Sequence, residues 1–133
     1  MAIAHLALAS RDVQATANFL SATMGWTPIR TPGNAPLEVA WLDLSPNRDR
    51  SHQIHLIHVA DYVPSPFDRE FGRHLAVFHD GDDLADLRRR IAAAGGELIA
   101  PLRPTPFERF FFREPINGYV FEVIHRQQWH EEQ

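Results

Sequence analysis

Residues 5–8 read HLAL and residues 74–77 read HLAV, so a four-residue stretch returns later in the chain with three identities and one conservative change. The offset between the copies is 69 residues (74 − 5), about half of the 133-residue chain. A repeat at this spacing indicates two copies of one supersecondary unit.

A helix is predicted after each copy. Apolar side chains recur three and four positions apart in both stretches, an aspartate precedes them as a candidate N-cap, and glycine follows the last of them. The positions are Asp12, Val13, Ala17, Leu20, Met24 and Gly25 in the first half, and Asp82, Asp83, Leu84, Leu87, Ile91, Ala94, Gly95 and Gly96 in the second.

Beyond each helix the pattern predicts three strands, separated by turns rich in proline, glycine and asparagine. The strands are residues 26–30, 37–44 and 53–59 in the first half, and residues 97–100, 109–113 and 119–125 in the second. Each half is therefore predicted to be β-α-β-β-β. Module one covers about residues 1–60, a linker about 61–72 and module two about 73–126, and a polar tail without a motif follows at 127–133.

Composition and charge narrow the class of protein. The apolar content of 44% suits a single compact domain. A net charge of −4 with interspersed charges predicts no nucleic-acid interface. The chain has no cysteine, so nitrogen and oxygen atoms must hold any metal. No apolar stretch is long enough for a membrane span and no leader is evident, so we expect a cytoplasmic protein without a membrane partner.

Three histidines lie three residues apart at 52, 55 and 58, around the segment QIHLIHV of residues 53–59. The segment is short, rich in Ile, Leu and Val, and is the last strand of its half. Side chains of a strand alternate between its faces, so His55 points with Gln53 and Ile57 to one side and His58 to the other. One site cannot use all three imidazoles, and we expect His52 and His58, like His79, His125 and His130, to be bystanders.

The duplicated unit with histidine opening each half resembles the vicinal oxygen chelate superfamily, which includes glyoxalase I, extradiol dioxygenases, fosfomycin-resistance enzymes and bleomycin-resistance proteins. The similarity runs from about His5 to Glu122. It rests on HLAL, HLAV, the strand QIHL and the ending FFFREPINGYVFEV, in that order. The resemblance implies an α+β fold in which two tandem β-α-β-β-β modules form a curled mixed β-sheet half-barrel around a cleft.

Metal ligands also follow from the resemblance, which assigns them to the first and last strand of each module. They would be His5 and His55 from the first half, and His74 and Glu122 from the second. The repeat supports this set, because His55 and Glu122 are 67 residues apart (122 − 55), close to the offset of 69. Imidazoles and a carboxylate suit divalent Fe, Mn, Ni, Co or Zn, which can bind a substrate through two adjacent oxygens.

The sequence departs from glyoxalase I at one ligand. His55 stands where glyoxalase I usually has a glutamate that binds metal and also moves the substrate proton. A metal-bound imidazole nitrogen cannot act as a base, so His55 would have to leave the metal during turnover. Glu122 is the next candidate for a catalytic base.

Candidate substrate contacts are Arg103, Arg109, Phe111 and Tyr119. Strand alternation allows either Arg109, Phe111 and Arg113 or Phe110 and Phe112 to line the cavity. The proline-rich stretches 31–36 and 101–106 could frame its mouth, and Arg103 is suited to an anionic group. Trp41 and Tyr62 are further candidates.

Two classes of function are open. The first is a metal-dependent enzyme acting on a small oxygen-rich or aromatic molecule, with glyoxalase-like lyase or isomerase chemistry favoured over extradiol-type dioxygenation. The second is a metal-free small-molecule binding protein of the bleomycin-resistance type. The fosfomycin-resistance pattern fits less well, because the basic and hydroxyl groups expected around a phosphonate are not evident. The resemblance also implies a homodimer.

Overall fold

A computed structural model describes residues 1–30, 38–81 and 83–131, with the backbone alone for residues 130 and 131. The chain forms two compact units, Met1–Val63 and Pro64–Gln133, called here the first and second unit. Among the described residues, no helix is long and apolar enough to cross a membrane.

The first unit contains one helix and a four-stranded mixed sheet. Its elements are β1 (His5–Ser10), α1 (Val13–Met24), β2 (Thr27–Ile29), β3 (Val39–Asp43) and β4 (Gln53–His58). The strand order is β1-β4-β3-β2, in which β1 and β4 are parallel and the other pairs antiparallel.

Helix α1 packs its apolar stripe against one face of this sheet. Asp12 caps the helix by accepting a hydrogen bond from the Ala15 backbone N–H at 3.0 Å. Gly25 ends it in the left-handed conformation, with a φ of 71°. The core beneath the helix contains Val13, Leu20, Leu42, Ile54 and Leu56, each at most 1% exposed.

The second unit repeats this arrangement and adds a short helix. Its elements are β5 (Leu75–His79), α2 (Leu84–Ala93), β6 (Glu97–Ile99), β7 (Arg109–Arg113), β8 (Val120–His125) and α3 (Arg126–Glu131). The strand order is β5-β8-β7-β6, again with the first pair parallel and the others antiparallel. Asp83 caps α2 by accepting from the Ala85 backbone N–H at 2.8 Å.

The predicted α+β fold with its duplicated β-α-β-β-β unit is confirmed. Two details differ from the expectation. Strand β5 begins at Leu75, so His74 immediately precedes it, and the tail that carried no motif forms α3. This helix is fixed by Trp129, whose ring contacts Phe78 and Phe107 with centroid separations of 5.7 and 4.9 Å. The predicted cap Asp82, the loop 31–36 and the first residue of the strand 37–44 lie outside the described residues.

The turn between β7 and β8 is built around Glu114, which is fully buried. Its carboxylate accepts hydrogen bonds from the backbone N–H groups of Ile116 and Asn117 at 2.8 Å each and of Tyr119 at 3.3 Å. Burial raises the pKa of Glu114 and outweighs these bonds, which lower it. Glu114 therefore holds the turn that leads into β8, the strand that carries Glu122.

Candidate functional site

In the first unit, strand pairing places His5 and His55 on the same face of the sheet. Ala7 lies opposite His55 in the parallel pair β1 and β4, and His5 is two residues before Ala7. The two imidazole centroids are 5.6 Å apart, with ring planes at 80°. This face is opposite to the one that Leu42, Ile54 and Leu56 turn toward α1.

Trp41 completes an aromatic cluster around these histidines. It lies opposite His55 in the antiparallel pair β3 and β4, and the two rings stack with centroids 3.8 Å apart and planes at 6°. His5 meets the Trp41 ring edge-on, with a centroid distance of 4.8 Å. The stacking restricts the rotation of the His55 ring, so Trp41 fixes the direction of the His55 ring nitrogens.

The Nε2 atom of His55 is buried and has no hydrogen-bond partner among the described residues, and the same holds for Nε1 of Trp41. Burial lowers the pKa of the His55 imidazole, and the nearby His5 lowers it further. The ring is therefore favoured in its neutral form, whose unprotonated nitrogen can bind a metal ion. An unpaired buried nitrogen costs about 1–3 kcal/mol, and a ligand bound there would remove that cost.

In the second unit, His74 and Glu122 occupy the corresponding places. Ala76 lies opposite Glu122 in the parallel pair β5 and β8, just as Ala7 lies opposite His55. The His74 Nε2 atom is 3.2 Å from Oε1 of Glu122. Phe111, opposite Glu122 on β7, meets the His74 ring edge-on at 5.2 Å and takes the place that Trp41 has in the first unit.

The hydrogen bond made by Nδ1 of His74 indicates which tautomer the neutral ring adopts, and so whether Nε2 directs a lone pair or a proton at Glu122. Nδ1 is 3.2 Å from the backbone carbonyl oxygen of Arg69, which can only accept, so Nδ1 carries the proton of this bond. A neutral ring then directs the lone pair of Nε2 at a carboxylate oxygen. Two such acceptors attract each other only with a cation between them, either a proton or a metal ion.

The separation of these two atoms fits a shared metal ion. Ligand atoms about 2.1 Å from one ion are about 3.0 Å apart at a right angle and about 3.4 Å apart at the tetrahedral angle. The observed 3.2 Å lies between these values. The bond from Nδ1 to a backbone carbonyl is also the support that metal-bound histidines usually have. The donor set of the second unit therefore suits a divalent metal.

The second oxygen of Glu122 is bonded to Arg109, whose Nη1 donates to Oε2 at 3.0 Å. The Arg109 side chain is only 2% exposed and also lies 3.3 Å from Glu70, which has 8% side-chain exposure. Sequence reasoning did not find Glu70, because the loop before β5 has no pattern that indicates an inward-facing carboxylate. The Arg109 contact occupies Oε2 and leaves Oε1 facing His74.

Strand pairing decides between the two faces of β7. Phe111 is opposite Glu122, so Arg109, Phe111 and Arg113 share the Glu122 face. Phe110 lies on the other face, where the Arg88 guanidinium of α2 covers its ring at 4.7 Å.

The remaining predicted substrate residues lie apart from the Glu122 carboxylate or on the surface. Tyr119 directly precedes β8, is buried, and by alternation belongs to the face opposite Glu122. Arg103 is exposed, and its backbone N–H and carbonyl bond to Glu70 and Arg109. Phe111, by contrast, shares the Glu122 face, is 1% exposed and packs under His74.

The described parts of the chain contain no group of three or more histidine, aspartate or glutamate side chains arranged to hold a metal ion. The four candidate donors lie in two pairs, His5 with His55 and His74 with Glu122. Among the expected bystanders, His52 and His58 are exposed, while His79 and His125 are strand neighbours at the end of β5 and β8.

Comparison with protein families gives one match that spans nearly the whole chain. The sequence model of the Glyoxalase/Bleomycin resistance protein/Dioxygenase superfamily matches residues 2–123. The chain therefore belongs to this superfamily, and the resemblance inferred from HLAL, HLAV and the last strand is confirmed. A search of curated proteins finds no similar sequence.

Solved structures with the same fold come from several bacteria. A mutant of the fosfomycin resistance protein FosX of Listeria monocytogenes, complexed with Mn(II) and 1S,2S-dihydroxypropylphosphonic acid, is 18% identical, with 98% of this chain and 97% of that chain covered and a TM-score of 0.70. A possible glyoxalase from Bacillus cereus is 21% identical, with 93% and 98% covered and a TM-score of 0.65. A glyoxalase-related enzyme from Fulvimarina pelagi is 20% identical, with 92% and 86% covered and a TM-score of 0.66. At these identities the similarity shows the fold alone.

Proposed function

We propose that the protein is a divalent-metal-dependent enzyme that acts on a small oxygen-rich or aromatic molecule, with lyase or isomerase chemistry of the glyoxalase kind favoured over dioxygenation. His74 and Glu122 would supply donors from the second unit, and His5 and His55 from the first. The observation that carries the proposal is the His74–Glu122 contact of 3.2 Å, together with the His74 proton held on Nδ1 by Arg69.

The charges of the second unit add support. Glu70 and Glu122 carry two negative charges and Arg109 one positive charge, all on side chains with less than 10% exposure. The set is therefore one positive charge short of neutrality. A cation at Oε1 of Glu122, either a metal ion or the proton of an imidazolium at His74, would supply it, since buried charges are stable only when compensated.

A divalent ion, when bound, supplies Lewis acidity that polarises substrate oxygens. The chain itself would orient the donors, through Trp41 on His55 and Arg109 on Glu122, and would provide the proton-transfer group. His55 and Glu122 are the proposed bases, and either must be free of the metal at the moment when it accepts a proton.

Equilibrium dialysis of protein purified without a His tag tests the metal dependence. The FosX complex contains Mn(II), so Mn(II) is the first probe, followed by Fe(II), Co(II), Ni(II) and Zn(II). We expect binding by the wild type, loss of at least about tenfold in affinity in His74→Ala and His55→Ala, and unchanged affinity in the control His58→Ala, which alters an exposed histidine. Equal affinity in all four proteins would contradict the proposal.

The metal that supports turnover would also separate the two reactions. Nickel or zinc with activity on a thiohemiacetal indicates glyoxalase-like chemistry. Iron with oxygen-dependent activity on catechols indicates a dioxygenase and would overturn the favoured reaction.

A metal-free binding protein is the second candidate, favoured by the Arg109–Glu122 ion pair. That pair gives the carboxylate a cationic partner without a metal, and no three-donor group occurs among the described residues. Absence of binding by all five metals, together with ligand-dependent fluorescence lost in Trp41→Phe, would establish this function instead.

We also propose a homodimer, on the resemblance alone. Light scattering coupled to size-exclusion chromatography should give about twice the chain mass of 15.2 kDa. A single species of 15.2 kDa would refute it.

A further inference from the structure

Glu70 joins the proline-rich segment 101–106 to Arg109. Its Oε1 accepts from the Leu102 backbone N–H at 2.7 Å, and its Oε2 accepts from the Arg103 backbone N–H at 2.9 Å. The same Oε2 accepts from Nη2 of Arg109 at 3.3 Å. Burial raises the pKa of Glu70, but these bonds outweigh it, so the pKa lies below its usual value. Glu70 is thus an ionised anchor for the segment.

Arg109 continues the chain of contacts from Glu70 to Glu122. Beside its two carboxylate partners, Nη2 donates to the Arg103 carbonyl oxygen and Nε donates to Oγ1 of Thr105 at 3.3 Å. Its guanidinium carbon lies 5.3 Å from the centroid of the Phe111 ring. All three guanidinium nitrogens are therefore bonded inside the second unit, which leaves Arg109 poorly suited to capture a substrate anion.

The repeat shows that this arrangement is particular to the half with Glu122. Arg109 is two residues before Phe111 on β7 and lies opposite Ile124. In the first unit the residue two before Trp41 is Val39, which lies opposite Ile57. An imidazole donor needs no charge partner, whereas the Glu122 carboxylate pairs with Arg109. Arginine at this position accompanies the change of donor from imidazole to carboxylate.

We infer that Arg109 and Glu70 are positioning residues, which fix the Glu122 carboxylate with Oε1 toward His74 and couple it to the segment 101–106. The metal part of this inference rests on the proposed function, because it takes Glu122 as a metal donor. Two consequences follow: loss of Glu70 weakens metal binding although Glu70 touches no donor, and a change at Glu122 alters the backbone bonds of residues 102 and 103. Coupling of this kind acts in both directions.

The first test compares Glu70→Gln with the matched control Glu108→Gln, which removes the partner of Arg88 in an exposed ion pair. We expect Glu70→Gln to lower the Mn(II) affinity about 10- to 100-fold, as supporting residues of metal ligands commonly do, and Glu108→Gln to leave it unchanged. If Glu70→Gln lowers the melting temperature but keeps the wild-type affinity, its role is only structural and the inference is wrong.

The second test uses metal-free protein, so that it stands even where the wild type binds no metal and the proposed function fails. Hydrogen exchange of the Leu102 and Arg103 amides is measured in the wild type, Glu122→Gln and Glu108→Gln. We expect Glu122→Gln to speed exchange at both amides about tenfold, because Arg109 then loses the carboxylate that holds its Nη1, and a guanidinium free to shift no longer keeps Glu70 and the Arg103 carbonyl oxygen in place. Exchange equal to that of the wild type would overturn the coupling.

Discussion

Replacing Glu114 with alanine should lower the free energy of unfolding by about 3–5 kcal/mol. The carboxylate accepts three backbone hydrogen bonds in the β7–β8 turn and is fully buried. A bond to a charged group contributes about 1.5–3 kcal/mol, and a buried donor left without a partner costs about 1–3 kcal/mol. Water that enters the space left by the side chain would recover part of this loss, so the expected value is below the sum.

The change in melting temperature follows from the chain length. Unfolding entropy is about 2.1 cal/mol/K per residue near 60 °C, which is about 0.28 kcal/mol/K for this chain. A loss of about 3–5 kcal/mol therefore lowers the melting temperature by about 10–18 °C. Differential scanning calorimetry measures it directly.

Glu114→Gln is the matched control. Glutamine keeps one acceptor oxygen in nearly the same shape and avoids the cost of burying a charge, the cost that raises the pKa of Glu114. Glu114→Gln should lower the free energy of unfolding by less than half as much as Glu114→Ala. A Glu114→Ala variant that melts within about 3 °C of the wild type would refute the claim that the Glu114 carboxylate stabilises the β7–β8 turn.

Three further predictions concern the first unit. Trp41→Ala should weaken Co(II) binding more than Trp41→Phe, because phenylalanine still stacks on His55; equal affinities by titration would contradict this. Burial raises the pKa of Asp43, but the hydrogen bonds from Ser45 and Arg50 outweigh burial and lower the pKa below 3.8. The ionised Asp43 therefore stabilises the folded state above pH 3.8, and this contribution is lost as the pH falls through the lower folded-state pKa. Urea unfolding of Asp43→Asn should accordingly differ most from the wild type near neutral pH and least at a pH below the folded-state pKa. Gly25→Ala should cost about 1 kcal/mol in the same assay, from the positive φ alone, since a Cβ there meets nothing within 4 Å.

The repeat made most of the fold predictable from sequence. HLAL and HLAV set the register of the two units, and period-three and period-four spacing located both helices. The family resemblance implied a mixed sheet, and the parallel pairs β1 with β4 and β5 with β8 are its parallel part. Helix α3 was not predictable, because it depends on Trp129 packing on residues distant in sequence.

The candidate donor residues could be chosen from the sequence, but the side chains that contact them could not. The family resemblance assigned His74 and Glu122, the repeat supported the assignment, and the structure brings their side chains into contact. The stacking of Trp41 on His55 depends on antiparallel register, which no local pattern reveals. The burial of Arg109 between two carboxylates depends on Glu70, which is 39 residues away in the chain.

Native mass spectrometry of the untagged protein after Mn(II) loading tests the proposed metal site most directly, because it counts ions per chain. We expect one bound ion in the wild type, loss of that ion in His74→Ala and in Glu122→Ala, and its retention in His58→Ala. A wild-type chain that retains no ion, or a Glu122→Ala chain that retains the same ion, would contradict a metal site built on His74 and Glu122.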